Sequence, residues 1–321
     1  MTQNKVTVLV PGRIHPRVIS RLQEQFDVVT VADQKGDLAL DDATREKVRG
    51  VALSGKLQAE WVEKLPNLQI ISNFGVGYDG VDTKQAAARG IIVTHTPNVL
   101  NDEVADTAIG LLLNTIRRLP VAEDWLRSGR WAAEGPFALS PLSLKGRSVG
   151  ILGLGRIGLE IAQRLEPFKV KIGYHTRTQR SDVSYTYFSS LKAMAEEVDT
   201  LISIIPGTAE THKIINAEIL SALGPNGVFI NVGRGTSVDE ATLEAALRNG
   251  TIAAAGLDVF YTEPTKAGGF LDLDNISMLP HVASASVPTR NAMADLVVDN
   301  LIGWFDDKKV LTPVPETPVK A

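Results

Sequence analysis

Three side chains suited to acid–base and anion chemistry follow apolar runs in the second half of the chain. Arg234 follows Gly227–Val232 and Gly233, Glu263 follows Asp258-Val-Phe260, and His281 follows Ile276–Leu279 and Pro280. Reduction of a keto group beside a carboxylate needs such a set. The planar, permanently charged guanidinium of Arg234 matches a carboxylate and polarises a neighbouring carbonyl. A histidine, with an ordinary pKa of about 6.5, can supply a proton as the alkoxide forms. A carboxylate beside it favours the imidazolium and keeps that proton available. No side chain donates a hydride, so the reaction also requires a bound redox cofactor.

The run Ser148-Val-Gly-Ile-Leu-Gly-Leu-Gly-Arg-Ile-Gly158 offers a place for one. A short apolar strand enters Gly153-Leu154-Gly155-Arg156-Ile157-Gly158, and a helical pattern from Leu159 to Glu166 comes next and stops at Pro167. In this context Gly153 serves the tight turn, Gly155 the approach of a pyrophosphate, and Gly158 the close packing of helix on strand. The phosphates would meet the free N–H groups and positive dipole end of the helix. Dinucleotide sites selective for NAD carry an acid about 20 residues on, at the end of the next strand, to bond the ribose 2′-hydroxyl. Here Val170–Tyr174 runs into His175-Thr-Arg-Thr-Gln-Arg180, with no acid. The reading is NADP(H), with Arg177 as the main ligand of the 2′-phosphate and Thr176 and Arg180 as helpers. Arg156 is a further candidate contact.

Alternating strands and helices must position these residues, which argues for α/β layering with parallel sheets. Apolar runs at Val6–Val10, Val28–Val31, Val51–Leu53, Ile70–Ser72 and Ile91–Val93, with helices such as Arg17–Gln25 and Thr83–Arg89, read as a five-stranded doubly wound unit. Thr96-Pro-Asn98 breaks the pattern. A long helix, about Asp102–Arg118, places Val104, Ala108, Leu111, Leu112 and Thr115 at helical spacing. Residues 128–143 read as a loop. The nucleotide unit contributes strands at 148–152, 170–174, 200–205, 228–232, 252–257 and 276–279. Ser237-x-x-Glu240 reads as a capping box that opens a helix ending at Asn249-Gly250. A final helix, about Thr289–Phe305, is expected to return to the first unit. The proline-rich tail from Thr312 is expected to be ordered only where it touches the body.

The first unit should close the cleft from the other side. Phe74-Gly-Val-Gly-Tyr-Asp79 is a glycine-flanked turn after a strand, and the N–H groups of Val76 and Gly77 could bind a carboxylate as a nest. Leu53-Ser-Gly55, a second strand end, could line the pocket.

Bulk properties exclude several classes. The chain has 321 residues, enough for about two domains. A net charge of −4 gives no electrostatic case for nucleic acid or an acidic membrane surface. Met1-Thr-Gln-Asn-Lys5 leads into a strand without signal-peptide architecture, and no apolar run reaches the ~18 residues needed to cross a membrane. Cysteine is absent, which excludes disulfides and fits a cytoplasmic protein. The five histidines are scattered without metal-ligand spacing, so no metal is expected.

Five blocks in order extend the argument. Asn73-Phe-Gly-Val-Gly-Tyr-Asp79, Leu152–Gly158, Asn231-Val-Gly-Arg-Gly235, Gly256-Leu-Asp-Val-Phe260 with Glu263-Pro264, and Pro280-His-Val-Ala-Ser284 resemble the D-isomer-specific 2-hydroxyacid dehydrogenases over nearly the whole chain. The resemblance implies two doubly wound, Rossmann-like parallel-sheet domains. A dinucleotide-binding domain at 100–288 would be inserted into a flavodoxin-like substrate domain of residues 1–99 and 289–321. It implies catalytic Arg234, Glu263 and His281. Asp258 would bond the nicotinamide carboxamide, Val232 and Ser284 would join the cofactor site, and Val76 and Gly77 would hold the substrate carboxylate. Asn98-Val-Leu-Asn-Asp-Glu-Val-Ala-Asp106 and the Thr-Arg-Thr loop resemble the glyoxylate/hydroxypyruvate reductase branch, with its hydroxyphenylpyruvate-reducing relatives. The resemblance further implies a homodimer, with Trp131 a candidate to enter the partner's active site or to pack at the dimer contact. The segment Val282-Ala-Ser-Ala-Ser286 departs from the usual glycine and threonine there.

The leading expectation is NADPH-dependent reduction of a small 2-keto acid to the D-2-hydroxy acid, with glyoxylate or hydroxypyruvate first and an arylpyruvate second. The alternatives are an NAD(H)-dependent dehydrogenase of another D-2-hydroxy acid and a non-catalytic dinucleotide-sensing protein on the same fold. The intact Arg–Glu–His set weighs against the sensor.

Overall fold

The computed structural model describes residues 5–33 and 36–319. The start of the N-terminal segment and the last two residues of the tail lie outside the described residues. Two compact units emerge, one of residues 1–100 with 285–321 and one of residues 101–284.

The discontinuous unit holds five parallel strands, β1 (Thr7–Pro11), β2 (Asp27–Val31), β3 (Val48–Leu53), β4 (Ile70–Asn73) and β5 (Ile92–Thr94), in the order β2-β1-β3-β4-β5. β1 and β4 are buried along their whole length, and β3 at every position but Arg49, which is why they read as unbroken apolar runs. Helices α1 (Pro16–Gln25), α2 (Asp42–Lys47), α3 (Ala59–Glu63) and α4 (Thr83–Ala88) connect them. Asp41 and Asp82 cap α2 and α4 by accepting from Thr44 N and Gln85 N.

The continuous unit opens with α5 (Asn101–Arg117), α6 (Leu119–Arg127) and α7 (Arg130–Glu134). All five positions expected on the inner face of α5 are buried. Its seven strands are β6 (Ser148–Leu152), β7 (Lys171–His175), β8 (Thr186–Tyr187), β9 (Thr200–Ser203), β10 (Val228–Asn231), β11 (Ala254–Leu257) and β12 (Ile276–Met278). They run parallel in the order β12-β11-β10-β9-β6-β7-β8, so the chain reverses its direction of travel between β6 and β9. Helices α8 (Arg156–Leu165), α9 (Leu191–Glu197), α10 (Ala217–Leu223) and α11 (Glu240–Arg248) cover the faces. Gly256 on β11 lets α5 lie close, because a Cβ there would meet Thr115 and Leu111.

The last helix, α12 (Val287–Asp307), belongs to the discontinuous unit. Ala294, Val297, Val298 and Leu301 join Val18 and Leu22 of α1 in one core cluster. Arg17 and Arg21 of α1 pair with Asp295 at 2.7 and 3.0 Å. The tail then lies against β5: Val314 N donates to Val93 O at 2.9 Å, Val93 N donates to Thr317 Oγ1 at 2.8 Å, and Val314 is buried.

Four local expectations need correction. Residues 130–134 form α7 inside the expected loop, bounded by Gly129 and Gly135 in positive-φ conformations. Pro167 does not stop the chain at once but sits in a 3₁₀ turn, Glu166–Phe168, that tightens the end of α8. The N-cap of α11 is Asp239, accepting from Thr242 N, whereas Ser237 ends a preceding 3₁₀ turn and its hydroxyl donates to Arg234 O at 2.7 Å. The two-residue edge strand β8 adds to the expected strands and carries no apolar run that would signal it.

Candidate active site

β6 delivers the glycine loop to the reversal point of the seven-stranded sheet, where ligands bind in open α/β sheets. Gly153 adopts φ +98°, and its N–H donates to His175 O at 3.0 Å, which fixes the turn against β7. A Cβ on Gly158 would collide with the Gly153 carbonyl oxygen, so glycine there lets α8 start directly over the strand. Gly155 is the N-cap of α8 and contributes no side-chain acceptor, and a Cβ there would point into open space. The first-turn N–H groups therefore keep their donor capacity for an anion, as a dinucleotide pyrophosphate requires. Arg156 and Ile157 open the helix, with Arg156 exposed, while Leu154 is buried beneath the turn.

β7 ends at His175, whose Nδ1 lies 2.8 Å from Phe188 O. The Thr176 hydroxyl donates to Thr178 O at 2.7 Å, shaping the turn that presents Arg177. Arg177 is exposed and engages no side chain or carbonyl among the described residues. Arg180 is placed otherwise: its guanidinium is bidentate to Asp182 and also donates to Leu154 O at 2.8 Å.

The acid–base set assembles at the other wing of the same sheet. Asn231, fully buried at the end of β10, accepts from Gly233 N at 3.0 Å and donates from Nδ2 to Arg234 O at 3.0 Å. This side-chain turn sets the backbone of Arg234, which is half-buried. In the sequence Asn231 signals no more than a strand-end Asn close to a glycine. Glu263 accepts from Phe260 N at 2.9 Å through Oε1 and meets His281 Nδ1 at 2.6 Å through Oε2. Burial pushes the Glu263 carboxyl up, but the His281 and Phe260 hydrogen bonds and the His281 and Arg234 charges outweigh it, so the group sits below the usual carboxylate range. An ionised carboxylate only accepts, so Nδ1 carries the hydrogen and Nε2 is the ring atom left for a substrate. His281 itself lies at φ +54°, a left-handed conformation held by three bonds to Asp258. Asp258 O accepts from His281 N at 2.8 Å, and its carboxylate accepts from Val282 N at 2.7 Å and Ala283 N at 3.0 Å. Burial raises the Asp258 carboxyl against the opposing pull of those two N–H groups. Asp258 thus organises the His281 turn, and its oxygens retain lone pairs for another donor. Val232 is buried, continuing the line of β10, and Ser284 closes the unit after the Asp258-bound turn. Beside His281 lies a largely apolar cavity of about 490 Å³ lined by Phe260, Pro264, Met278, Leu279 and Pro280.

In the discontinuous unit, the turn after β4 is held by its carbonyls. Asn73 Nδ2 donates to Gly75 O at 3.2 Å and to Gly77 O at 2.9 Å, Thr96 N donates to Gly75 O at 2.9 Å, and His95 Nδ1 lies 2.8 Å from Val76 O. The N–H groups of Val76 and Gly77 donate to nothing among the described residues. Asn73 and His95 carry no sequence signal for this part, because only the fold shows which carbonyls they hold. Leu53 departs from the pocket-lining expectation: its side chain is wholly buried in the core, and its carbonyl supports the turn by accepting from Phe74 N at 2.7 Å. Trp131 lies on α7 and is 59% exposed. No group of His, Cys, Asp and Glu among the described residues could hold a metal ion, and no described helix is long and apolar enough to cross a membrane.

A doubly wound sheet with an uncapped glycine-loop helix at its reversal point, and a His–Glu pair at its strand ends, defines a dinucleotide-dependent oxidoreductase. Residues 109–283 match the D-isomer specific 2-hydroxyacid dehydrogenase NAD binding domain. The chain belongs to the D-isomer-specific 2-hydroxyacid dehydrogenase family. It is 42% identical to glyoxylate/hydroxypyruvate reductase A of Arabidopsis thaliana, with 92% of this chain and 94% of that one covered. It is 45% identical to hydroxyphenylpyruvate reductase of Plectranthus scutellarioides, with 90% and 91% covered. Its fold superposes with TM-score 0.96 on an NADPH-dependent glyoxylate/hydroxypyruvate reductase from Sinorhizobium meliloti in complex with NADP and malonate, at 61% identity and 99% coverage of both chains.

Proposed function

We propose that this protein reduces a small 2-keto acid, glyoxylate or hydroxypyruvate, to the D-2-hydroxy acid with NADPH. The observation that carries the reading is the 2.6 Å His281–Glu263 pair, which commits Nδ1 to the carboxylate and leaves Nε2 as the proton-delivering atom. His281 protonates the nascent alkoxide, Glu263 holds the ring and balances its charge, and Arg234 draws the substrate carboxylate and polarises the keto oxygen. The free Val76 and Gly77 N–H groups suit a carboxylate as well. NADPH, when bound, supplies the hydride. The glycine loop suits its pyrophosphate and Arg177 its 2′-phosphate, in line with the NADP named for the Sinorhizobium relative. The apolar cavity beside His281 favours an arylpyruvate as a second substrate, in keeping with the hydroxyphenylpyruvate reductase relative.

The protein acts as a homodimer in this reading. Leu119, Leu126, Trp131 and Leu139 expose apolar side chains along one segment, a pattern that marks an interaction surface. A cytoplasmic place of action suits its cysteine-free composition. Initial rates with NADPH and NADH, each against glyoxylate, hydroxypyruvate and phenylpyruvate, test the activity. NADPH-dependent turnover of glyoxylate or hydroxypyruvate supports it, and absence of turnover with every pair overturns it. A monomer mass by light scattering would overturn the dimer.

A further inference from the structure

The loop after β7 and the glycine loop after β6 are joined by one side chain. Arg180 Nη1 donates to Leu154 O at 2.8 Å, and its Nε and Nη2 grip the two carboxylate oxygens of Asp182. The backbone of Arg180 is anchored too: its N–H donates to the Tyr174 hydroxyl at 2.9 Å, and that hydroxyl donates to Arg180 O at 3.3 Å. Tyr174 is fully buried on β7, so Arg180 has a rigid base. Tyr187 on β8 donates to Thr176 O at 3.3 Å and steadies the other end of the turn. Arg177, between these anchors, stays exposed.

The Leu154 carbonyl matters because of peptide geometry. In a planar trans peptide the C=O of Leu154 and the N–H of Gly155 point in opposite directions. A donor that holds Leu154 O therefore aims the N–H of Gly155, the N-cap of α8, away from Arg180. All three guanidinium nitrogens take part at once, Nε and Nη2 on Asp182 and Nη1 on Leu154. A lysine, a point charge on a flexible stem, has no such fork.

We infer that Arg180 is a positioning residue: it couples the Arg177 turn to the glycine loop and orients both for the dinucleotide, rather than gripping the 2′-phosphate itself. This inference rests on the proposed dinucleotide-dependent reading of the site. It separates two arginines that the sequence alone groups together. Arg177 selects NADPH over NADH, whereas Arg180 serves both coenzymes, because both carry the pyrophosphate.

The test is fluorescence titration of the full-length protein with NADPH and with NADH, paired with steady-state rates on glyoxylate. Arg180→Ala alone would leave the Asp182 carboxylate without its partner, so the informative variant is the charge-balanced Arg180→Ala/Asp182→Asn. Loss of the bond that ties the loop to Leu154 O predicts that both coenzymes weaken alike, by about three- to ten-fold, with the effect on the coenzyme KM rather than on kcat. Arg180→Lys, which keeps the charge but not the fork, behaves like the double variant. Arg177→Ala weakens NADPH and spares NADH. Weakening of NADPH alone in the double variant, with rescue by Arg180→Lys, would make Arg180 a direct phosphate ligand and overturn the inference. Unchanged affinity for both coenzymes would overturn it as well. If NADH proves the better coenzyme and Arg177→Ala has no effect, the NADPH reading fails, yet the double variant still decides the coupling through NADH.

Discussion

Two turns in this molecule begin alike and end differently. The turn after β4 and the turn after β6 both leave a buried parallel strand through closely spaced glycines, and both leave backbone N–H groups without protein acceptors. After β6 the helix starts at once, with Gly155 as its N-cap and Arg156 as its first residue, so the anion site gains the first-turn N–H groups and the dipole. After β4 the helix waits until Thr83, and Asp82 already caps it. There Asn73, Thr96 and His95 occupy the neighbouring carbonyls, and the N–H groups of Val76 and Gly77 have no acceptor among the described residues. In the proposed reading one turn takes its anion affinity from a helix end, the other from side chains that occupy a loop's carbonyls and leave its N–H groups without acceptors. Glycine spacing alone does not distinguish a site for a bulky diphosphate from a site for a small carboxylate. The distinction comes from the element next in the chain, a helix start in one case and a braced loop in the other.

Variants can break this contrast at several strengths. Removal of the proposed proton donor has the largest expected effect. His281→Ala should lower kcat by about 10²- to 10⁴-fold while coenzyme titration stays close to wild type. Normal turnover in that variant would show that another group delivers the proton. Gly158→Ala should strike the turn after β6 alone, because the new methyl group meets the Gly153 carbonyl. Coenzyme affinity should fall more than about ten-fold, since the shift misaligns several donors worth about 1 kcal/mol each. Preserved coenzyme binding would mean the loop tolerates the displacement. Asn73→Ala should strike the turn after β4, raising the KM for the keto acid about three- to ten-fold through loss of its two carbonyl bonds, with coenzyme affinity unchanged. If that variant altered coenzyme affinity instead, the two turns would not be functionally separate.

The smallest expected effect is on stability. The folded Glu263 carboxyl lies below its ordinary value of 4.5, so its interactions stabilise the fold above that pH and the benefit is lost as pH falls through the folded value. Thermal melting of wild type against Glu263→Gln should therefore show the wild-type advantage at neutral pH shrinking in acid. An advantage that grew on acidification would reverse the sign and remove the ion-pair account.

The strands were readable because buried parallel strands are short continuous apolar runs, and the glycine loop because a strand and a helix flank it. Arg234, Glu263 and His281 could be singled out because each comes after such a run. What stayed hidden depends on contacts distant in sequence. The two-residue strand β8 has no pattern of its own and exists by pairing with β7. The resemblance singles out Asp258 for the cofactor, but only the fold shows its carboxylate on the 282 and 283 amides. The sequence places Arg180 beside Arg177 as a second phosphate contact, and only the folded loop shows Arg177 exposed and Arg180 tied to Leu154. Ser237 and Asp239 both suit a helix cap, and the short turn at Gly235–Ser237 selects the later residue.

The return of α12 to α1 gives the chain an order of assembly during synthesis. Residues 101–284 are contiguous and leave the ribosome complete, so that unit can close its core while the helix its neighbour needs is still being made. The first hundred residues emerge earliest yet finish last, since Val297, Val298 and Leu301 arrive about 280 residues after Val18 and Leu22 and only then fill the gap beside them. Until then that sheet presents an apolar face to the cell, and a nascent-chain chaperone would find its binding surface there.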